Sequence, residues 1–148
     1  MLDVVRIQEI IPHRFPFLFL DGVREFDEEG PSLIAVKLVS MSDPILQGHF
    51  PGNPIVPGVV QVEAMAQAAV VLAHLTGHFD QSTHHCLFLG IDKAKFRAPA
   101  VPGELLEIHV KAERLGKIGK FSGQVRAGDE LKSNATFTAV MQPKDADK

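Results

Sequence analysis

The sequence has 148 residues, of which 45% are hydrophobic and 22% charged, and this composition is typical of a soluble globular domain with a hydrophobic core. The net charge of −3 argues against nucleic-acid binding. Cys86 is the only cysteine, which excludes an intrachain disulfide and favours a reducing, cytoplasmic location. The N-terminus has no basic segment followed by an apolar run, so we expect no signal peptide.

The first third of the chain predicts a short helix followed by a β-hairpin. Residues 6–11 suit a helical turn that ends before Pro12. An apolar run from Phe17 through Phe26 predicts a strand, and a turn at residues 27–31 leads to a second strand at 32–41. We expect one face of this second strand to be apolar, formed by Ile34, Val36 and Leu38.

The segment from Gly48 to Gln67 is the centre of the sequence. Its first half is rich in proline and glycine, which predicts a stiff loop, and Pro57 suits the first turn of a helix. From Gly58 to Leu75 nearly every residue is apolar, so we predict a helix that is buried on all sides. Three polar residues argue against insertion of this helix in a membrane: Gln61, Glu63 and Gln67.

Glu63 is the only acidic or basic residue of the predicted helix before His74. A carboxylate in apolar surroundings is costly, and burial raises its pKa. His49 lies on the stiff loop that leads into the helix, and a histidine with a lone carboxyl group suits general acid–base catalysis. The alternative interpretation is structural, with a hydrogen-bonded core acid and a loop histidine.

The C-terminal half predicts several further strands, separated by turns that contain glycine. Apolar alternation or continuous apolar runs place them at residues 85–97, 107–113, 120–126 and 131–141. We therefore predict one α+β domain over residues 1–142, in which an antiparallel curved sheet wraps around the long buried helix. Residues 143–148 form a polar C-terminal tail that we expect to be frayed.

Potential metal ligands cluster after the central helix, but they lack a known ligand spacing. We therefore predict no metal site there. Cys86, one of the cluster, suits a small buried hydrophobe better than a nucleophile. The cluster comprises His74, His78, His84, His85 and Cys86.

Seven short segments together resemble one known family, the hot-dog-fold (3R)-hydroxyacyl-[acyl-carrier-protein] dehydratases of the FabZ type. The segments stand in the same order as in that family, and the resemblance extends from about Ile7 to Ala139. The combination of the second and fourth segments is highly specific. The segments are His13–Leu18, Gly48–Gly52, Pro57–Val59, Glu63–Gln67, Gly90–Asp92, Lys95–Arg97 and Pro102–Glu104.

The resemblance implies a homodimer, often assembled as a trimer of dimers, with histidine and acid supplied to each site by different subunits. It implies that His49 removes the α-proton of a 3-hydroxyacyl phosphopantetheine thioester on acyl-carrier protein, and that Glu63 protonates or orients the leaving hydroxyl group. It also implies that the Gly58 N–H binds the thioester carbonyl. A helix N-terminus is physically suited to that last role, because its free N–H groups stabilise developing negative charge. No cofactor is needed.

Two further groups of residues are assigned roles in substrate access and partner binding. We expect the acyl tunnel and its entrance to be lined by His13, Phe50, Pro51, Val59 and Leu87. An acidic carrier protein would dock on a basic surface formed by Lys93, Lys95, Arg97, Lys117 and Lys120. Strand alternation places the first three on one face, although an ordinary solvated strand face is the alternative.

The sequence also departs from the family pattern. Many members carry aromatic residues, including a gating tyrosine, where Cys86 and Leu87 stand here, and this chain has no tyrosine. Glutamate at position 63 indicates the plain dehydratase, because the isomerising branch of the family carries aspartate. Two alternatives stay open: a hot-dog thioesterase, and a non-catalytic module that binds acyl thioesters.

Overall fold

A seven-stranded sheet packs against one long helix in the computed structural model, within residues 1–147, which are the residues that the structure describes. The helices are α1 (Val4–Ile10) and α2 (Gly58–Leu75), with short 3-10 helices at Pro44–Gln47 and Lys144–Asp147. The strands are β1 (Leu2–Asp3), β2 (Gly22–Asp27), β3 (Ser32–Leu38), β4 (His84–Phe96), β5 (Leu105–Arg114), β6 (Ile118–Ala127) and β7 (Glu130–Pro143).

The strand order across the sheet is β1-β2-β3-β5-β6-β7-β4, and every neighbouring pair is antiparallel. After β3 the chain passes through α2 before it forms β4 at the far edge of the sheet. The meander β5–β6–β7 then fills the space between β3 and β4. This connection carries α2 across the sheet, which confirms the predicted α+β architecture.

The central helix has the bounds that its composition predicts. Met65, Ala68 and Leu72 are fully buried, and the helix packs mainly against β5, β6 and β7. The closest approach is at Gly123 of β6, where an added Cβ would lie 2.8 Å from the Met65 sulfur. By length and composition α2 could cross a membrane, but 67% of it is buried inside the fold, as expected for a core helix.

Two predictions about the first hairpin are wrong. The strand begins at Gly22, and the apolar residues before it form a loop in which Phe19 and Leu20 are buried. In β3 the residues facing the core are Leu33 and Ala35 rather than Ile34, Val36 and Leu38. The reason is that both faces of this strand carry apolar residues, so alternation alone does not identify the inner one.

The C-terminal end of the chain continues the sheet further than expected. Pro143 belongs to β7 and is opposite His84 in β4. Residues 144–147, which we expected to be frayed, form a 3-10 helix, and the Lys144 N–H donates to the Thr83 carbonyl at 2.9 Å. The rest of the predicted tail, Lys148, lies outside the described residues.

Candidate active site

Glu63 lies in the second turn of α2 and borders a small apolar cavity of about 180 Å³. The opposite wall comes from β4 through Cys86, Leu87 and Phe88. The Glu63 side chain is 19% exposed. Burial raises the pKa of this carboxyl group, and a hydrogen bond from Gln67 opposes part of that rise. The predicted lone acid of the helix is therefore a carboxyl group held toward its neutral form.

Gln67, one helical turn after Glu63, connects α2 to the loop between α1 and β2. It is 1% exposed. Its side-chain Oε1 accepts from the Phe19 N–H at 2.9 Å, and its Nε2 donates to the Phe17 carbonyl at 2.8 Å. The same Nε2 donates to Glu63 Oε1 at 3.1 Å. Sequence analysis gave Gln67 no role in the site, although its i, i+4 spacing from Glu63 was an available signal.

His13 lies beside the Glu63 carboxyl group, with 3.6 Å between its Nε2 and Glu63 Oε1. The loop that carries His13 is anchored by Arg14, which donates to the carbonyls of Gln8 and Ile11 at 2.9 Å each. Burial, together with the charge of Arg14, lowers the pKa of His13. The structure thus places this predicted entrance residue in direct reach of the acid.

His49 is held by the loop before α2. Its backbone carbonyl accepts from the Ile55 N–H at 2.8 Å, and its Nδ1 lies 2.7 Å from the Ile55 carbonyl. A carbonyl can only accept, so Nδ1 carries a proton and the neutral ring has its lone pair on Nε2. The ring also stacks on Phe50 at 4.1 Å between centroids. In this tautomer the lone pair on Nε2 is the one that can accept a proton.

The structure does not bring His49 and Glu63 to one cavity within a single chain. Among the described residues that line the Glu63 cavity, His49 is absent, whereas His13 and Gln67 are present. His49 instead lies on the loop that precedes the first turn of α2. A site that uses both residues therefore needs one of them to come from another chain.

Gly58 is the first residue of α2, and the N-terminus there has no side-chain cap. The N–H groups of Val60 and Gln61 both donate to the Pro57 carbonyl. An added Cβ at Gly58 would lie 2.6 Å from ring atoms of Phe96, so the close approach of this ring requires glycine. No side chain caps this helix end, so its backbone N–H groups are available to donate hydrogen bonds to a ligand.

The other predicted tunnel residues are apolar and exposed. Val59 is 74% exposed at the start of α2, Phe50 is 49% exposed, and Leu87 is 51% exposed while it borders the cavity. Pro51 is also exposed. Three of these residues, without Pro51, belong to a larger set of exposed apolar side chains, which we call the apolar surface: Phe15, Phe17, Phe50, Val59, Leu87, Phe88, Leu89, Ile91 and Phe96.

Three of the basic residues proposed for docking lie around Asn134 of β7, although a bulge interrupts the alternation from which their shared face was predicted. The pairing of β4 with β7 shifts between Asp92 and Lys95, and Lys93 has a positive φ of 51°. Lys93 borders a larger groove of about 560 Å³ on the sheet face opposite α2, together with His109 and Lys111. Arg97 follows the strand and donates from Nε to Asn134 at 2.9 Å. Lys95, Lys117 and Lys120 are exposed.

Cys86 borders the cavity as a neutral thiol. Burial and the nearby Glu63 raise its pKa to about 12, so it is protonated near neutral pH. Within residues 1–147, no group of three or more histidine, cysteine, aspartate or glutamate side chains is placed to hold a metal ion.

Comparisons with known proteins point to one family. A sequence model described as a FabA-like domain matches residues 11–140. A protein from Jannaschia sp. named 3-hydroxyacyl-[acyl-carrier-protein] dehydratase FabZ is 44% identical over 142 residues, covering 94% of this chain and 88% of the relative. A protein of the same name from Nitratiruptor sp. is 44% identical over 149 residues, covering 97% of this chain and all of the relative.

Solved structures agree on the fold. The dehydratase heterocomplex ApeI:P from Xenorhabdus doucetiae superposes with a TM-score of 0.78 at 19% identity, covering 94% of this chain and 92% of that one. A mutant thioesterase from Pseudomonas aeruginosa superposes with a TM-score of 0.67 at 16% identity, covering 95% and 94%. At these identities the likeness concerns the fold alone, and it confirms the predicted hot-dog arrangement.

Proposed function

This chain belongs to the FabA-like family, and from that membership we propose that it dehydrates (3R)-3-hydroxyacyl thioesters on acyl-carrier protein to trans-2-enoyl thioesters. The observation that carries the proposal is the half-buried Glu63 carboxyl group, whose pKa is raised by burial beside an apolar cavity. A raised pKa favours the protonated form that a general acid needs. The reaction takes place in one domain, residues 1–142, of a cytoplasmic enzyme.

The elimination uses three groups. His49 Nε2 takes the α-proton, and the electrons of that C–H bond form the new double bond. Glu63 gives a proton to the 3-hydroxyl group, the C–O bond breaks, and water leaves. The N–H of Gly58 donates to the thioester oxygen as negative charge develops there, an interaction worth roughly 3 kcal/mol of barrier in comparable sites.

We place the two catalytic residues of each site on different subunits of a homodimer. The cavity beside Glu63 lacks His49, and β4 is an edge strand whose exposed side chains are largely apolar. A long apolar edge strand is a site for pairing with another chain. Joining two copies there would cover much of the apolar surface, and three such dimers would form a hexamer.

Substrate access follows from the same arrangement. Phe50, Pro51 and Val59 of one subunit and His13 and Leu87 of the other line the acyl tunnel. The acidic carrier protein docks on exposed basic residues near its mouth, which are Lys93, Lys95, Arg97, Lys117 and Lys120. Leu87 and Cys86 take the place of the aromatic gate, because both border the cavity.

The direct test is to incubate the protein with 3-hydroxyacyl carrier-protein thioesters of several chain lengths and to analyse the products by mass spectrometry. We expect loss of water with the thioester intact. Release of the free acid would instead identify a thioesterase, and binding without turnover would identify a non-catalytic module.

A mixing experiment tests the shared site. His49→Ala and Glu63→Gln homodimers should each be inactive, but exchange of subunits creates heterodimers with one doubly substituted site and one intact site. Random exchange should then restore about a quarter of wild-type activity, by the symmetry of a two-site dimer. No recovery after verified exchange would contradict a site built from two chains.

A further inference from the structure

One hydrogen-bond donor and one further ring nitrogen face a single oxygen of Glu63. Gln67 Nε2 lies 3.1 Å from Oε1, and His13 Nε2 lies 3.6 Å from the same atom. No described residue donates a hydrogen bond to the other oxygen, Oε2. The two oxygens of this carboxyl group are therefore not equivalent, and the asymmetry comes from residues that the elimination chemistry does not itself use.

The orientation of the Gln67 amide is fixed by its other partners. The Phe19 N–H can only donate, so the atom facing it at 2.9 Å must be the amide oxygen. The NH₂ group then has two hydrogens and two acceptors, which are the Phe17 carbonyl and Glu63 Oε1. Gln67 is consequently a donor to Oε1 in the folded protein, whatever the protonation state of Glu63.

The tautomer of His13 follows from the surroundings of its ring. Nδ1 is buried and has no hydrogen-bond partner among the described residues. A buried N–H without an acceptor is rarer and more costly than an acceptor without a donor. The neutral ring therefore carries its hydrogen on Nε2, which faces Glu63 Oε1. Burial and Arg14 disfavour the imidazolium, so the neutral form dominates.

We infer that His13 and Gln67 are positioning residues that hold the acid proton of Glu63 on Oε2, which is then the oxygen that protonates the leaving hydroxyl group. A proton on Oε1 would compete with the Gln67 N–H that donates to that oxygen and would face the N–H of His13, whereas a proton on Oε2 meets no such repulsion. This inference deepens the proposed function and rests on it for the identity of the leaving group.

The proton transfer balances with this arrangement. The Oε2–H bond breaks, the proton joins the 3-hydroxyl oxygen, and the C–O bond breaks with release of water. The carboxylate that remains already accepts a hydrogen bond from Gln67 on Oε1 and has His13 Nε2 at 3.6 Å from the same atom, so its charge is stabilised as it forms. Solvent exchange returns a proton to Glu63 and removes the α-proton from His49.

His13 offers the sharper test, because replacing Gln67 would also release the Phe17–Phe19 loop. His13→Gln keeps an N–H donor at the reach of the histidine Nε2, whereas His13→Asn is equally polar but ends too early. We expect His13→Asn to lower kcat about tenfold with KM changed less than about twofold, because the ring N–H near the forming charge is lost, and such contacts are often long in the free protein and tighten during catalysis. His13→Gln should restore most of kcat.

Titration of the Glu63 carboxyl carbon gives a readout that does not need turnover. It uses protein labelled with carbon-13 at glutamate, with Glu63→Gln to assign the signal. Loss of a donor to the ionised form should raise the pKa of Glu63 in His13→Asn but not in His13→Gln. Once His13 is replaced, the other titratable group that this chain's described residues place at the Glu63 cavity is Cys86, which stays neutral throughout because its pKa is about 12.

The outcomes separate the inference from the proposed function. Equal titration and equal kcat in the Asn and Gln variants would overturn the positioning role, even if the wild type is an active dehydratase. A shifted titration in His13→Asn alone would support the donor geometry, even if the wild type failed to dehydrate the thioesters and the proposed function were lost.

Discussion

Two glutamates of this fold have similar exposure and opposite environments. Glu104 lies 2.9 Å from the Nζ of Lys132, which is itself only 3% exposed and also contacts Glu130 and the Pro99 carbonyl. Burial by itself raises the pKa of Glu104, but hydrogen bonds from Lys132 and the Val101 N–H lower it, and the net change is a decrease. Glu63 faces a cavity without a cation, and burial raises its pKa.

The difference shows how the fold separates stability from chemistry. Burial by itself lowers the pKa of Lys132, but its two carboxylate partners raise it, and the net change is a rise. The cation and the carboxylates of this cluster are therefore all charged and paired. The Glu63 group accepts a hydrogen bond from the neutral Gln67 amide and has no Lys or Arg partner among the described residues, so its pKa stays raised by burial. Pairing with a cation, rather than burial as such, distinguishes the structural acid from the acid that we propose to be catalytic.

The largest effect is expected from Glu63→Gln. The amide keeps the size of the side chain but cannot give up a proton, so kcat should fall by roughly 10²–10⁴, the usual contribution of a general acid. The thermal midpoint should stay the same or rise, since a partly buried acid is replaced by a neutral group. A near-normal rate of dehydration would place Glu63 with the structural acids and remove the contrast.

Lys132→Met should have the opposite effects, with a loss of stability and no loss of turnover. Removal of the cation leaves Glu104 and the Pro99 carbonyl without their buried donor, which should cost about 2–3 kcal/mol of unfolding free energy, reduced by the partial exposure of Glu104. Denaturant unfolding measures the loss, and Lys111→Met at an exposed position is the matched control. Turnover per folded molecule should be unchanged. A stability loss no greater than that of the control would make the cluster a surface feature.

Gly58→Ala tests the backbone part of the catalytic region. The new methyl group would meet the Phe96 ring at 2.6 Å, and the ring or the helix end must move to relieve the contact. We expect about a tenfold loss of kcat, because displaced N–H groups stabilise developing charge less well. Adding Phe96→Ala should recover activity if the ring is the cause. If the double variant is stable but activity does not recover, the clash with Phe96 is not the cause of the loss.

Sequence reasoning succeeded where one pattern had one interpretation. The apolar run of α2 with the single charge of Glu63 predicts both the core helix and its unusual acid, and the family resemblance is confirmed by the relatives and the domain match. It failed at β3, where both faces are apolar, and before β2, where an apolar run forms a loop instead of a strand. The predicted catalytic roles remain predictions.

The contacts that the sequence did not reveal depend on the path of the chain through space. His13 reaches Glu63 because the loop after α1 folds back onto α2, and no local pattern encodes that path. Lys132 is buried, whereas the apolar Leu131 next to it is only partly buried. In both cases the partner is distant in sequence, so charge and periodicity along the chain give no warning.

The smallest expected effect is in the pH dependence of stability, where the two glutamates should act with opposite signs. The folded pKa of Glu63 is raised, so its ionisation favours the unfolded state, and stability decreases as pH rises above the ordinary value of 4.5. The folded pKa of Glu104 is lowered, so its contribution is complete above that value and is lost as pH falls through the lowered pKa.

Denaturant unfolding of the variants across the acidic range resolves the two signs. The stability advantage of Glu63→Gln over the wild type should be absent at low pH and should grow as pH rises past the ordinary glutamate value. The stability deficit of Lys132→Met should be largest near neutral pH and should shrink in acid, because Glu104 is then protonated in both proteins. Parallel curves for the two variants would contradict this prediction, because they would mean that the two carboxyl groups have the same kind of environment.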